Sequence, residues 1–396
     1  IVIGLKILNE KLQQLKKKIS EGDTLTVMII GLGSVGTFLL DYLVSRSDPK
    51  LRIVVVGRNY DKMEKDVNIV RTAAAIRGQL RSEIIIADGC DLNDTESIVG
   101  LLKRYSPDFI VNASRAYPGL KYGSISWPNL RAYGIWTPLS TRFARNIMEA
   151  YASSGCQAIT INTSYSDAVI PWLKSAGRCY FDFGSGNLNH LIPRIKFAVA
   201  KEYEIDNLNE IDVTLVASHF HDVVISKEGH AEGQHLLLDI NYKGCHLDVD
   251  QDKLFNACSI PMPTDQKRNM MNASSNYNII DSLIKALKDK NKAKVHSPGV
   301  DGEIGGYPVI IDGSTVAPTA YFDTTFSIDD MRNTNRKSIY FDGIENIDDG
   351  CLVYTDELVN KVKAIFACNL PKIVHFDDID TVAEFLIRDI INKSVS

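Results

Sequence analysis

Val27-Met28-Ile29-Ile30-Gly31-Leu32-Gly33-Ser34-Val35-Gly36 is the stretch on which the fold turns. Four apolar residues in a row read as a strand buried on both faces. A Gly-x-Gly-x-x-Gly turn follows, and a helix is expected over 36–45. Each glycine has a separate task there. Gly31 permits the tight turn, Gly33 lets a pyrophosphate approach the backbone, and Gly36 lets helix pack on strand. The open N–H groups and dipole of the helix N-terminus favour an anion at the same spot. Leu32, Ser34 and Val35 complete the turn and join the glycines as candidate dinucleotide contacts.

Outward from the turn, strands are expected at 51–56, 83–87, 108–112 and 158–162. Helices are expected at 61–77, 95–105 and 142–153. Strands alternating with helices imply right-handed crossovers and a parallel sheet. The expected architecture is therefore α/β: an N-terminal Rossmann sheet followed by a second α/β (α+β) domain. The division is a helix at 1–22, the dinucleotide domain at 23–165, and a substrate and oligomerisation domain at 166–396. Leu5, Leu8, Leu12, Leu15 and Ile19 form a stripe along the first helix, to be buried on this chain or a second copy. Residues 115–140, rich in Gly, Pro, Ser, Tyr and Trp, read as a long functional loop. Beyond 165, a helix is expected at 191–203, a strand at 211–218, strands near 233–242 and a helix at 274–288.

The second strand ends Val56-Gly57-Arg58-Asn59. An NAD site usually has Asp or Glu here for the ribose hydroxyls. Arg58 suits a 2′-phosphate instead, so NADP is expected in preference to NAD. Asp91-Leu92, after the third strand, would lie by the adenine, and Asn112-Ala113-Ser114, after the fourth, by the nicotinamide.

At 396 residues the chain is long enough for two domains and a buried core. A net charge of −5 offers no broad basic face for nucleic acid. No apolar run is long enough for a bilayer, and Lys16-Lys17-Lys18 follow the N-terminal apolar residues rather than precede them, unlike a signal peptide. Seven scattered cysteines without a Cys-x-x-Cys suggest reduced thiols and a cytoplasmic location.

Two resemblances lie in these motifs. The Gly-rich turn, Gly57-Arg58-Asn59, Asp91-Leu92-Asn93-Asp94 and Val111-Asn112-Ala113-Ser114 resemble the saccharopine-dehydrogenase-like N-terminal domain. From about residue 110 the order of motifs is similar to the lactate/malate dehydrogenase superfamily. Arg115 to Gly119 resembles its mobile Arg–Pro–Gly loop, Ile161 to Ser164 with Asp167 its Asn-Pro-x-Asp turn, and Gly184 to Asn189 with Arg194 its Gly-Ser-Gly-x-Asn-Leu-Asp helix. Ala217-Ser218-His219 resembles its Gly-Glu-His turn, and 302–309 its paired strands before the last helix. These likenesses imply a hydride transfer on a small-molecule substrate by a homodimer or homotetramer.

The chemistry needs a group to move the hydroxyl proton, and a histidine titrates in the right range. His219 is the candidate acid/base. Arg115 and Arg194 are the candidate anion holders, and Asn162 a hydrogen-bond donor to the reacting oxygen or the carboxamide. The superfamily's catalytic aspartate falls at Asn189 or His190, neither a carboxylate. Three alternatives follow: a saccharopine- or opine-type imine reductase, a dinucleotide sensor without chemistry, and a two-histidine metal site. The last would use His219 and His221, two apart on an extended strand, completed by Asp222 or His235. His221 is also the rival acid/base. His230 and His246 are expected to face solvent.

Overall fold

The computed structural model describes residues 2–234 and 236–394. Its central sheet is parallel, with six strands: β1 (Leu25–Ile30), β2 (Leu51–Val56), β3 (Glu83–Ala87), β4 (Phe109–Asn112), β5 (Ile159–Asn162) and β6 (Phe183–Gly184). Their order is β3-β2-β1-β4-β5-β6, the doubly wound arrangement. The helices of this half are α1 (Lys6–Ser20), α2 (Ser34–Val44), α3 (Tyr60–Ile76), α4 (Thr95–Tyr105), α5 (Gly119–Ile125), α6 (Thr137–Ser154) and α7 (Ser166–Ser175). All of β1 is buried because alternate residues serve opposite faces. Met28 and Ile30 pack with Ile98 of α4 and Ile147 of α6. Val27 and Ile29 pack with Leu39 and Leu43 of α2. Strand order reverses between β1 and β4, and ligands bind at the carboxyl ends of strands at such a reversal. The sixth strand lies past residue 165.

The second half begins with α8 (Asn187–Tyr203) and continues through β7 (Ile211–Val216), α9 (His219–Glu228), β8 (Leu237–Tyr242), β9 (Cys245–His246), α10 (Gln251–Cys258) and α11 (Asn269–Asp289). Next come β10 (Lys292–Pro298), β11 (Gly306–Asp312), β12 (Thr319–Phe322) and α12 (Ile328–Phe341). Strands β7-β8-β9 and β10-β11-β12 form two antiparallel sheets. The chain does not stop at α12. A further antiparallel sheet of β13 (Ile344–Asp348), β14 (Cys351–Tyr354) and β15 (Ile373–His375), with α13 (Asp356–Phe366) and α14 (Ile379–Leu386), packs Leu352, Tyr354 and Leu386 into the cluster that holds Ile147 and Trp172. Among the described residues no helix is long and apolar enough to cross a membrane.

Two expectations are overturned here. Residues 115–140 are mostly helical: α5, a π-helical turn Ser126–Leu130, a 3-10 turn Gly134–Trp136, then α6, which starts earlier than expected with Pro138 in its first turn. Tertiary burial outweighs the turn-forming composition. Ile125, Leu130 and Trp136 are in the core, and the Trp136 indole donates to Ser126 Oγ at 2.7 Å. The second concerns residues 217–222. Strand β7 ends at Val216, and His219 opens a helix instead of closing a strand. Ser218 caps that helix, as its residue type favours.

Helix α1 lies on its own chain. Leu8, Leu12 and Leu15 are buried, Leu5 N–H donates to Ala320 O at 2.9 Å, and Ala320 N–H donates to Asn9 Oδ1 at 2.6 Å. Lys11 reaches Asp182 at 2.6 Å with both side chains buried.

Candidate functional site

A cleft of about 700 Å³ opens at the ends of β1, β2 and β4. The Gly-rich turn is its floor. Gly31 has φ of +93°, and a Cβ there would stand 2.7 Å from the Ser114 backbone. A Cβ on Gly36 would meet Gly31 O at 2.2 Å, so helix and turn touch directly. At Gly33 a Cβ would meet nothing within 4 Å. The turn therefore has open space where a pyrophosphate would lie, beside the free N–H groups that begin α2. Leu32, Ser34 and Val35 line the same floor.

Arg58 and Asn59 line the cleft beyond β2. Arg58 is exposed. Asn59 caps α3, accepting the Lys62 N–H at 3.1 Å. Lys62 also faces the cleft and sets its ammonium 3.4 Å from Leu32 O. Lys62 is a site residue beyond those expected from the sequence, and its signal there is a lysine in the first turn of the helix after Arg58. Leu92, Ala113 and Ser114 line the cleft, and Asp91 and Asn112 do not. Asp91 accepts the Asn93 N–H within its own turn, and Asn112 Oδ1 holds Ser114 through N–H and Oγ. These residues fit a dinucleotide: positive side chains stand by the second strand, and the floor is open at Gly33.

Tyr133 and Arg268 also line the cleft, and His219 is not among its lining residues. His219 stands against the Tyr133 ring, with centroids 4.7 Å apart, and against Tyr165 at 5.1 Å. His219 Nδ1 is 3.0 Å from Asp342 Oδ2. The carboxylate that the sequence lacked at 189–190 thus comes from the residue after α12. Asp342 is held by four further contacts: its carboxylate accepts the Tyr165 hydroxyl at 2.8 Å and Tyr133 N–H at 2.9 Å, its own N–H donates to Ile339 O at 2.9 Å, and its carbonyl accepts Gly134 N–H at 2.8 Å. An ionised Asp342 can only accept, which fixes the proton on His219 Nδ1 and leaves Nε2 for exchange. His219 N–H donates to Asp167 Oδ2 at 3.0 Å.

Burial pulls the His219 pKa down, but the charge of Asp342 and its hydrogen bond outweigh that, and the net direction is up. Asp167 is pushed up to about 6, chiefly by burial, with His219 opposing. Tyr165 sits in the left-handed region with φ of +43°, a conformation that costs a non-glycine residue free energy and is often found at functional sites.

Three expected members of the site are elsewhere engaged. Arg194 is 3% exposed and donates to Cys258 O at 2.9 Å and to Met262 Sδ at 3.1 Å, tying α8 to the end of α10. Asn162 is wholly buried. Its amide donates to Ser164 O and Ser166 Oγ and accepts from Asn112, which makes it a brace between β4 and β5. His221 is also buried, its Nδ1 accepting Ser218 N–H at 3.3 Å. On a helix His219 and His221 point roughly 200° apart, so the two-histidine metal reading loses its geometry. Among the described residues no group of three His, Cys, Asp or Glu could hold a metal, and His235 lies outside them. Arg115 does line the cleft. His230 and His246 are 48% and 57% exposed.

Residues 27–122 match the family model of the saccharopine dehydrogenase NADP binding domain. Among solved structures the chain is similar to malate dehydrogenase of Cryptosporidium parvum, with a TM-score of 0.53 and 12% identity over 86% of this chain and 100% of that one. It is similar to malate dehydrogenase of Aeropyrum pernix, with a TM-score of 0.52 and 13% identity over 79% and 97%. It is also similar to the lactate dehydrogenase of Cryptosporidium parvum solved with lactic acid and β-nicotinamide adenine dinucleotide, with a TM-score of 0.52 and 12% identity over 92% and 99%. No curated protein sequence matches the chain. The fold is that of an NAD(P)-binding Rossmann oxidoreductase, and both resemblances read from the sequence recur.

Proposed function

We propose that the chain is an NADP-preferring oxidoreductase acting on a carbon that bears a hydroxyl or oxo group in a small polar substrate, with His219 as acid/base. The observation that carries this reading is the buried His219–Asp342 pair, 3.0 Å apart, packed against Tyr133, which lines the same cleft as the Gly-rich turn. A bound nicotinamide dinucleotide supplies or accepts the hydride. In the oxidative direction His219 Nε2 takes the hydroxyl proton while Asp342 stabilises the imidazolium through Nδ1–H. In the reductive direction His219, charged, returns the proton to the oxygen. Tyr165 and the Tyr133 backbone hold Asp342 in place by hydrogen bonds. Arg58 and Lys62 favour a 2′-phosphate. The sequence resemblance carries with it a homodimer or homotetramer, which sedimentation tests.

The match over 27–122 favours a second reading, a saccharopine-type imine reductase. The third reading, a sensor without chemistry, rested on a missing carboxylate, and Asp342 removes that ground. One experiment separates them. Nicotinamide absorbance is followed with NADP(H) and NAD(H) against 2-hydroxy and 2-oxo acids, with and without amino acids. Turnover without an amine supports the first reading, and strict dependence on an amine transfers the assignment to the second. Dinucleotide binding with no turnover across the panel overturns both.

A further inference from the structure

Cys351 opens β14 and stands opposite His375, the last residue of β15, in the antiparallel register. Gly350 O accepts the Phe376 N–H at 2.9 Å on one side of this pair, and Tyr354 N–H donates to Lys372 O at 2.8 Å further along. Residues 351 and 375 therefore lie between ladder hydrogen bonds, where the side chains of an antiparallel pair come closest. Cys351 Sγ is 3.1 Å from His375 Nδ1 and 3.8 Å from Asp349 O. The frame is fixed from behind, since Gly350 O also accepts the Trp172 indole N–H at 2.9 Å and Gly350 N–H donates to Ser175 Oγ at 2.7 Å. His375 is exposed and Cys351 partly so, and neither lines the cleft. Among the described residues Cys351 is the one cysteine with an imidazole at hydrogen-bond distance. Burial pushes up the thiols of Cys90, Cys156, Cys179, Cys258 and Cys368, which keeps them protonated. Cys245 is exposed without such a neighbour. With no third ligand among the described residues, the Cys351–His375 pair does not make a metal set.

We propose that Cys351 is a nucleophilic thiol with His375 as its base, and that it forms mixed disulfides with small disulfides bearing amino groups. The thiolate is the attacking form, and a base at hydrogen-bond distance generates it. His375 Nδ1 takes the thiol proton, and Cys351 Sγ attacks one sulfur of the disulfide. The bond from Sγ to that sulfur forms as the original S–S bond breaks. The departing sulfur leaves as a thiolate and takes the proton from the imidazolium. The protein sulfur is oxidised and the departing sulfur reduced, so the disulfide is itself the oxidant. The preference for amines comes from the flanking charge. Asp348 and Asp349 precede Cys351, Asp377 and Asp378 follow His375, and all are exposed. Arg178, which stacks on Phe376 at 5.5 Å, pairs with Glu149, and Lys372, just before β15, pairs with Asp356 and Glu345. A positively charged disulfide is drawn to such a surface and an anionic one repelled.

The test exposes the whole reduced chain, at neutral pH and low salt, to cystamine or to glutathione disulfide. Adducts at each thiol are followed in time by acid quench and peptide mass spectrometry. Cystamine is expected to modify Cys351 at least about tenfold faster than Cys245, the exposed thiol without a base. His375→Ala should bring Cys351 down to the rate of Cys245 and leave Cys245 unchanged, and free imidazole should restore part of the loss. Each rate is also taken relative to that of the same disulfide with 2-mercaptoethanol, a neutral thiol. On that scale the anionic glutathione disulfide should react with Cys351 at least about threefold more slowly than cystamine, and added salt should shrink the difference. Equal rates at Cys351 and Cys245, or an unchanged Cys351 rate in His375→Ala, overturn the thiol–imidazole pair as a reactive site. Glutathione disulfide reacting as fast as cystamine overturns the class of disulfide. The comparison of Cys351 with Cys245 needs no variant, so it decides even where His375→Ala fails to fold.

Discussion

Asp342 receives hydrogen bonds from His219, Tyr165 and the Tyr133 backbone, and its side chain is 1% exposed. A carboxylate so held orients an imidazole without moving, so its loss should resemble loss of the imidazole itself. His219→Gln is expected to lower turnover by roughly two to four orders of magnitude with dinucleotide affinity retained. Asp342→Asn should lower it comparably, since an amide supports the wrong tautomer. Steady-state rates beside dinucleotide titration check both, and near-parent turnover in His219→Gln would overturn the acid/base assignment. Asp167 gives a different readout. Burial raises its pKa from 3.8 to about 6, so the folded state favours the protonated form. Its contribution to stability is complete below the unfolded pKa and is lost as pH rises through about 6. Asp167→Asn should remove that dependence, up to about 3 kcal/mol across the window, and denaturant melts between pH 4 and 7 measure it. His219 was legible in the sequence because Ala217-Ser218-His219 resembles the Gly-Glu-His turn and a histidine titrates in the right range. Asp342 was not: it is a lone charge in the short connection after α12, and only folding brings it to residues far away in the chain.

The elements that were easiest to read are those buried on both faces. In β1 and β2 the apolar runs are continuous because helices cover each side of the sheet. Segment 115–140 has the look of a loop because Gly, Pro, Ser, Tyr and Trp are frequent in it. Its helical turns are fixed by burial of Ile125, Leu130 and Trp136, which no local pattern announces. Helix α1 illustrates the opposite case. Its leucine stripe was plain, but its partner, the edge of β12, lies at the far end of the chain. Leu12 is wholly buried there. Leu12→Ala should cost about 2–5 kcal/mol and lower the melting temperature without dissociating any oligomer. A variant that melts like the parent would place the stripe elsewhere.

For the molecule as a whole, dinucleotide choice is the property most exposed to test. Arg58 and Lys62 line the cleft where β2 ends, and a charge-assisted contact is worth roughly 1.5–3 kcal/mol. NADPH should therefore bind at least about tenfold tighter than NADH, and the double variant Arg58→Ala, Lys62→Ala should bring the two together. Calorimetry with both cofactors decides it, and equal affinities in the parent would remove the preference. The site also draws on nearly the whole length of the chain, from the Gly-rich turn to Asp342. That layout bears on synthesis. His219 and Asp342 are 123 residues apart, so at about 5–20 residues per second a ribosome needs about 6–25 s to travel from one to the other. Throughout that interval the nascent polypeptide owns its nucleotide turn and its histidine but not the carboxylate, so a prematurely terminated product would be inert toward hydroxyl groups.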